Sequence, residues 1–352
     1  MEHRRRIRDA RDRIDALLEA ARSVVADATL VPALVESTGL SAQGVELGLW
    51  HYLELSPSES ELSTLVETSI AASRVHVILA ANVFVAALRS LAVACAASAS
   101  VTVKPSRRDP VLARALVRAA PSLDIEIVES LSVDHLAHMS QAEAHVYGSD
   151  ETAVAVRASL PRDVLVRAHG TGLGVAVVTS DGSLEEAAQG LAADTVVFDQ
   201  RGCLSPRIVI VLGDRSRAEA FVRALADQLT QHGRVIPRGN LTPEEKAAAA
   251  RYAETMRFMG EVVRGDDFAV ALGADEGPLV VPPPGRHLTV AVARDLDAAK
   301  RLLAPLRAFI VALGTDDARV GKGVVTGARV RVSALGQMQK PPFDGPVDLR
   351  AI

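Results

Sequence analysis

Short apolar runs alternate with amphipathic stretches along most of the chain. From about residue 75 the runs read VHVIL (75–79), VTVK (101–104), IEIV (125–128), AHVY (144–147), VLVRA (164–168) and VAVV (175–178). Each is apolar at consecutive positions, the pattern of a strand covered on both faces in a parallel sheet. Between them lie segments with helical spacing: VFVAALRSLAVACAA (83–97), DPVLARALVRAA (109–120) and DETAVAVRASL (150–160). Asp109 is the expected N-cap of the second, with Pro110 at its first position, and Asp150 the expected N-cap of the third. The alternation predicts a doubly wound α/β domain.

The pattern restarts at SLEEAAQGLAADTVV (183–197). RIVIVLG (207–213), FAVALG (268–273), HLTVAVA (287–293) and FIVALG (309–314) read as strands. SRAEAFVRALADQLTQHG (216–233), TPEEKAAAARYAETMRFMG (242–260) and DAAKRLLAPL (297–306) read as helices. Thr242 and Pro243 open the middle one, and VVPPPGR (280–286) reads as a loop. This predicts a second α/β domain over residues 179–325, after a first one over 1–178. The tail, VTGARVRVSALGQMQKPPFDGPVDLRAI, is strand-like and then rich in proline and glycine. Its residues 326–352 are expected to return to the first domain or to a partner subunit.

Composition narrows the class. The 352 residues are 49% hydrophobic and 23% charged, a globular balance. The net charge of −4 gives no general attraction to nucleic acid or anionic membranes. The basic start, MEHRRRIRDARDRID, interleaves acids with its arginines and reads as a solvated amphipathic helix rather than a targeting peptide. Residues 75–103 form the longest apolar region, but Asn82 and Arg89 interrupt it, so strand–helix–strand is expected instead of a membrane span. Two cysteines make no disulfide framework and no zinc spacing. A cytoplasmic protein without a metal is expected.

Four stretches carry candidate chemistry. FDQRGCLSPR (198–207) sets Cys203 on a glycine-bearing turn leading into a strand. A lone cysteine there is either a small buried hydrophobe or an activated nucleophile. Cys95 lies inside an Ala-rich helix and reads as core. VTVKPSRRDP places Lys104, Ser106, Arg107 and Arg108 at a strand's carboxyl end, where α/β sheets bind ligands. Asn82 follows another strand and either caps the next helix or holds a developing oxyanion. HGTGLG (169–174) joins two strands, so the dinucleotide-loop context fails. A tight strand connection or a close backbone approach to a ligand remains.

In order, TGLSAQGVELGL, LAANVFVAALRSLA, VTVKPSRRDP, AHVYGSDET, HGTGLGVAVV, FDQRGCLSPR and LGQMQKPP resemble the aldehyde dehydrogenase superfamily. Within it they are similar to the acyl-CoA reductases of the LuxC type, the reductase component of bacterial bioluminescence fatty acid reductase. The resemblance spans about residues 35–345 and implies two doubly wound α/β domains with a cleft between them. It implies that Cys203 is the catalytic cysteine and that Asn82 completes its oxyanion hole. Lys104 and Ser106 would contact the adenosine ribose and phosphate, and Gly148 and Ser149 the pyrophosphate, with Gly172 also near the cofactor. The superfamily's ribose-binding glutamate is replaced by Arg107, which predicts NADPH. Its general-base glutamate is replaced by His169, which is either an acid/base group or structural. Its E-x-F-G-P segment has no clear counterpart.

The implied activity is NADPH-dependent reduction of an acyl thioester, fatty acyl-CoA foremost, to the aldehyde through a cysteine acyl-enzyme. Other readings are an aldehyde-oxidising dehydrogenase, a reductase of carrier-protein acyl groups, or a non-catalytic acyl- or partner-binding subunit. The expected partners are an acyl-CoA substrate and either further copies of the chain or an acyl-supplying protein. Nucleic acid is not among them.

Overall fold

A computed structural model of the chain describes residues 1–130, 141–275 and 277–351. It divides into two compact units. One comprises Met1–Thr38, Gly48–Thr171 and Pro342–Ile352; the other comprises Gly39–Leu47 and Gly172–Pro341.

Before the first strand the chain is helical: α1 (Glu2–Val25), α2 (Leu30–Thr38), α3 (Ala42–Leu47) and α4 (Glu59–Thr68). The third belongs to the second unit. In the first unit the expectation for the N-terminus needs correction. Ala10, Ile14, Leu17, Leu18, Ala21 and Val24 recur at helical spacing and are buried, so α1 is a core helix. Its mixed charges occupy only the outer face. The strands β1 (Val75–Ile78), β2 (Ser100–Lys104), β3 (Asp124–Ile127), β4 (Glu143–Tyr147) and β5 (Leu165–His169) alternate with α5 (Ala86–Ala97), α6 (Val111–Ala119) and α7 (Asp150–Ser159). They form one parallel sheet in the order β3-β2-β1-β4-β5. The order reverses between β1 and β4, which makes their carboxyl ends the ligand crevice of such a sheet.

α5 is buried along almost its whole length, because alanines let it pack closely. Arg89 is buried within it, paired with Glu54. Its guanidinium also donates to Pro342 O at 2.6 Å and Gly345 O at 2.8 Å and lies 5.0 Å over the Phe343 ring. This fixes the proline- and glycine-rich end of the chain within the first unit. Ile352 lies outside the described residues.

The second unit holds β6 (Leu173–Val178), α8 (Leu184–Val196), β7 (Pro206–Leu212), α9 (Arg215–Val235), α10 (Pro243–Met259), β8 (Gly260–Arg264), β9 (Ala269–Gly273), β10 (His287–Ala293), α11 (Leu296–Leu303), β11 (Ile310–Thr315), α12 (Ala318–Val324) and β12 (Arg331–Ala334). Its seven strands run in the order β12-β11-β6-β7-β10-β9-β8, all parallel except β8. Strand residues alternate between two cores. Ala176, Val178, Val209 and Val211 face Leu191, Phe221 and Leu225, while Val175, Val177, Ile208 and Ile210 face Leu303 and Leu313. Thr242 caps α10 in a full capping box with Glu245.

The division between units falls at 171/172, before β6 and not after it, because β6 pairs with β7 and β11. Residues 326–341 likewise stay with the second unit, where β12 pairs with β11. HGTGLG therefore links strands of two different sheets. No helix among the described residues is long and apolar enough to cross a membrane.

Candidate active site

In the first unit, the residues singled out from the sequence follow the ends of β1, β2 and β4. Asn82 lies beyond β1 and is exposed. It does not cap α5, which starts at Ala86 with Val85 in the cap position. Lys104 ends β2, and its carbonyl accepts Leu79 N–H at 3.0 Å, tying the exits of β1 and β2 together. Ser106 Oγ accepts Arg108 N–H at 3.3 Å, and the Arg108 guanidinium approaches Ala81 O at 3.5 Å. Arg107 is exposed, with no ion pair among the described residues. Asp109 is not the cap of α6. It turns inward and accepts Ser37 Oγ–H at 2.9 Å, and Pro110 takes the cap position.

Ser149, not Asp150, caps α7, its Oγ accepting Thr152 N–H at 3.3 Å. Asp150 is instead the first helical residue and accepts Thr171 N–H at 2.9 Å. A Cβ at Gly148 would meet nothing nearer than Thr152 at 3.5 Å. The protein's own packing therefore does not require glycine there. The first turn of α7 carries Asp150 and Glu151, which partly offset the pull of its N-terminus on an anion.

His169 ends β5 and is 8% exposed. Its ring stacks on Tyr147 at 4.5 Å and 10°. Burial, opposed by the Asp348 carboxylate, pushes its pKa down to about 4, so the imidazole is neutral near neutral pH. Its Nδ1 is buried without a hydrogen bond among the described residues. At the other end of β4, Glu143 accepts bonds from His145 at 3.0 Å and Arg167 at 2.7 Å.

Cys203 lies in the second unit and is half-buried. Cys95, by contrast, is buried in α5, and desolvation pushes its thiol up to about 12. Burial therefore removes Cys95 from consideration as a nucleophile. The chain reaches Cys203 through an unusual backbone. Phe198, Asp199 and Gln200 have φ of 52°, 51° and 63°, a left-handed conformation that costs roughly 1–2 kcal/mol per non-glycine residue. Asp199 accepts Arg286 Nε–H at 3.0 Å and Gly239 N–H at 2.9 Å. Gln200 donates to Pro206 O and His287 O, both at 2.7 Å, and accepts His287 N–H at 2.8 Å.

Gly174 abuts this turn, donating N–H to Ser205 O at 3.0 Å. A Cβ there would lie 2.4 Å from Leu204 O, so close backbone approach accounts for one glycine of HGTGLG. Gly172 lies in the linker just before β6. Arg207 donates to Pro282 O at 3.2 Å, and its Nε is buried without a partner among the described residues. Burial lowers its affinity for a proton, and negative charge at Cys203 opposes that.

Sequence reading missed Asp199, Gln200, Arg207 and Arg286. The only available signal was a cluster of charged and amide residues flanking runs that are otherwise apolar. Among the described residues, no group of three or more metal-type ligands comes together.

The fold defines the class. The chain superposes on an oxidoreductase from Marinobacter aquaeolei with a TM-score of 0.76, at 16% identity, over 93% of this chain and 78% of that one. It superposes on an NAD-dependent aldehyde dehydrogenase from Sinorhizobium meliloti with a TM-score of 0.72, at 14% identity, over 92% and 74%. This is the fold of the aldehyde dehydrogenase superfamily. Residues 58–351 match the acyl-CoA reductase (LuxC) family, and the chain belongs to that family. It is 27% identical over 203 residues to a long-chain acyl-protein thioester reductase of Aliivibrio fischeri, a match covering 54% of this chain and 42% of that protein. To a second such reductase, from Photobacterium leiognathi, it is 28% identical over 184 residues, covering 49% and 38%. The chain thus covers less than half the length of these relatives.

Proposed function

We propose that the protein reduces an acyl thioester to the aldehyde through an acyl-enzyme on Cys203. The observation that carries this is a half-buried cysteine on a backbone fixed by buried side chains, within a chain of the acyl-CoA reductase family. The Cys203 thiolate attacks the thioester carbonyl carbon. A carbon–sulfur bond forms and the carbonyl electrons move to oxygen. The Cys203 backbone N–H donates to that oxyanion; losing one such donor costs about 10²–10³ in rate. Collapse expels the donor thiolate and leaves an acyl-Cys203 thioester. The Arg207 guanidinium is close enough to feel charge at Cys203.

A nicotinamide cofactor, when bound, supplies hydride to the acyl carbonyl. The tetrahedral alkoxide on Cys203 then collapses to aldehyde and thiolate. The exits of β1, β2 and β4 fit such a cofactor. Lys104, Ser106 and Arg107 would hold its adenosine end, and Gly148 and Ser149 its pyrophosphate, at the strand exits beside the point where strand order reverses. An exposed arginine at 107 suits a 2′-phosphate, so the cofactor is NADPH. By the resemblance, His169 takes the position of the superfamily's water-activating glutamate; buried and neutral, it is a weak base.

The relatives' names specify acyl groups carried on protein, which favours a second donor beside acyl-CoA. Labelled acyl-CoA and labelled acyl-carrier protein, each without cofactor, test both. Wild type should acquire one acyl mass on the Cys203 peptide, and Cys203→Ala none. An alanine variant acylated as fast as wild type ends the proposal. Aldehyde supplied with NADP, with and without CoA, separates reduction from the aldehyde-oxidising alternative.

A further inference from the structure

We propose that Gln200 and Asp199 are positioning residues that hold the Cys203 loop in its reacting conformation. This rests on the reading of Cys203 as nucleophile. Among the described residues, five non-glycine residues have positive φ, and four of them are Phe198, Asp199, Gln200 and Arg286 (69°). A turn needing only left-handed backbone would use glycine or asparagine. Here the glycine stands at 202, and three of the four strained positions, Asp199, Gln200 and Arg286, carry side chains that bond. Strain of this kind persists only where the surroundings over-determine it, and it concentrates at reacting centres.

The side chains supply that constraint. Asp199, Gln200 and Arg286 are 2%, 0% and 1% exposed. Arg286 donates to Asp199 at 3.0 Å and to Asp267 at 2.7 Å, and Gly285 N–H donates to Asp199 O at 3.0 Å. One strained segment thereby clamps the other. Gln200 pairs with both backbone groups of His287, as a neighbouring strand residue would, and its Nε2 also reaches Pro206 O. Cys203 lies midway along the loop from Gln200 to Pro206, and this amide closes the loop while joining it to the starts of β7 and β10.

Both N–H donors of the Gln200 amide and one acceptor position of its oxygen are thus engaged. Alanine would open the loop while leaving the thiol in the chain. A glutamate, when ionised, would face two carbonyl oxygens; when protonated, it regains one donor. The charged and titratable groups near the loop, Asp199, Arg201, Cys203, Arg207, Arg286 and His287 among them, are present in variant and wild type alike, so the ratio of their rates isolates what the introduced carboxyl does, its field at Cys203 included.

The test uses the full chain and single-turnover acylation by acyl-CoA. Gln200→Ala should unfold in one transition like wild type, keep KM within about threefold, and acylate at least about 30-fold more slowly, as expected for a misplaced reacting group. The rate of Gln200→Glu relative to wild type should rise at least about tenfold from about pH 8 to about pH 6, as the carboxyl regains its proton. A folded Gln200→Ala acylating within about threefold of wild type overturns the proposal. Should that variant not fold, a pH-independent ratio for Gln200→Glu overturns it, and so does failure of both to fold, since the network would then serve stability alone. Cys203→Ala acylated like wild type would instead sink the underlying reading.

Discussion

The two regions that carry the candidate chemistry are built on opposite plans. At the strand ends of the first unit, Asn82, Arg107 and Ser149 are exposed. Around Cys203 in the second unit, Asp199, Gln200 and Arg286 are buried, bonded to one another's segments and held in strained backbone. The difference follows from what each must do. A group that grips a ligand must keep bonding capacity for it. A nucleophile must be presented by a backbone that does not yield when its bonds change. On the proposed reading, openness in one region suits binding and dense bonding in the other suits reaction.

The comparison breaks most visibly by stability. Arg286→Ala leaves Asp199 as a buried charge without its counter-ion, a loss of about 3–5 kcal/mol. Urea unfolding of the full chain should show it. Arg107→Ala, at an exposed position, should stay within about 0.5 kcal/mol of wild type. Arg286→Lys keeps the charge but not the fork that reaches Asp199 and Asp267 together, and should fall between. Equal effects at 286 and 107 would erase the distinction.

Acid should separate the units next. His169 in the first and His287 in the second are both pushed down to about 4 by burial. Such a histidine binds more protons unfolded than folded between pH 6.5 and 4. Its stabilising contribution is present above 6.5 and lost as pH falls, by up to about 3 kcal/mol each. In the second unit Asp194 opposes this. Burial raises its carboxyl to about 7, despite backbone bonds from Gly336 and Met338. It therefore gains stability as pH falls across the same window. In the first unit, Glu143 is held at about 2 against the pull of burial by His145 and Arg167, and adds a loss only below about 4.5. Amide protection, corrected for the slower intrinsic exchange at lower pH, should fall first in peptides of the first unit between pH 7 and 5. Asp194→Asn should bring the second unit into step.

Most strands were legible as short runs rich in apolar residues, and α10 because Thr242, Pro243 and Glu245 write its start in the sequence; β8 was not, because Glu261 and Arg264 leave only Val262 and Val263 apolar within it. Caps were misread by one residue. Asp109 and Asp150 are good cap acceptors by type, but each is drawn to another partner, Ser37 or the Thr171 amide. The acids and arginines of the first fifteen residues concealed the buried stripe of α1. Cys203 was visible as a thiol beside a glycine. The apparatus around it was not, because its partners lie 87 residues apart and no glycine announces the left-handed turn. Long-range pairing of buried polar groups leaves no periodicity to read.

The smallest expected effect bears on the open region. Arg107 follows Lys104 by three residues at the exit of β2. Its neighbour Arg108 is turned toward Ala81 O, and Lys104 and Ser106 lie half-buried beside it. An extended guanidinium here can pair with a 2′-phosphate through two parallel N–H donors, worth about 1.5–3 kcal/mol for charged hydrogen bonds. A glutamate at 107 would repel that phosphate and accept from ribose hydroxyls instead. Arg107→Glu should therefore weaken NADPH binding by about tenfold to a hundredfold and leave NADH binding equal or tighter. Titration of the Trp50 emission, the chain's one tryptophan, reads both affinities directly. Raising the salt concentration should narrow the gap in wild type, because the pairing is solvent-exposed. A wild type that prefers NADH, with the preference unchanged in Arg107→Glu, would show that this arginine is only a solvated side chain.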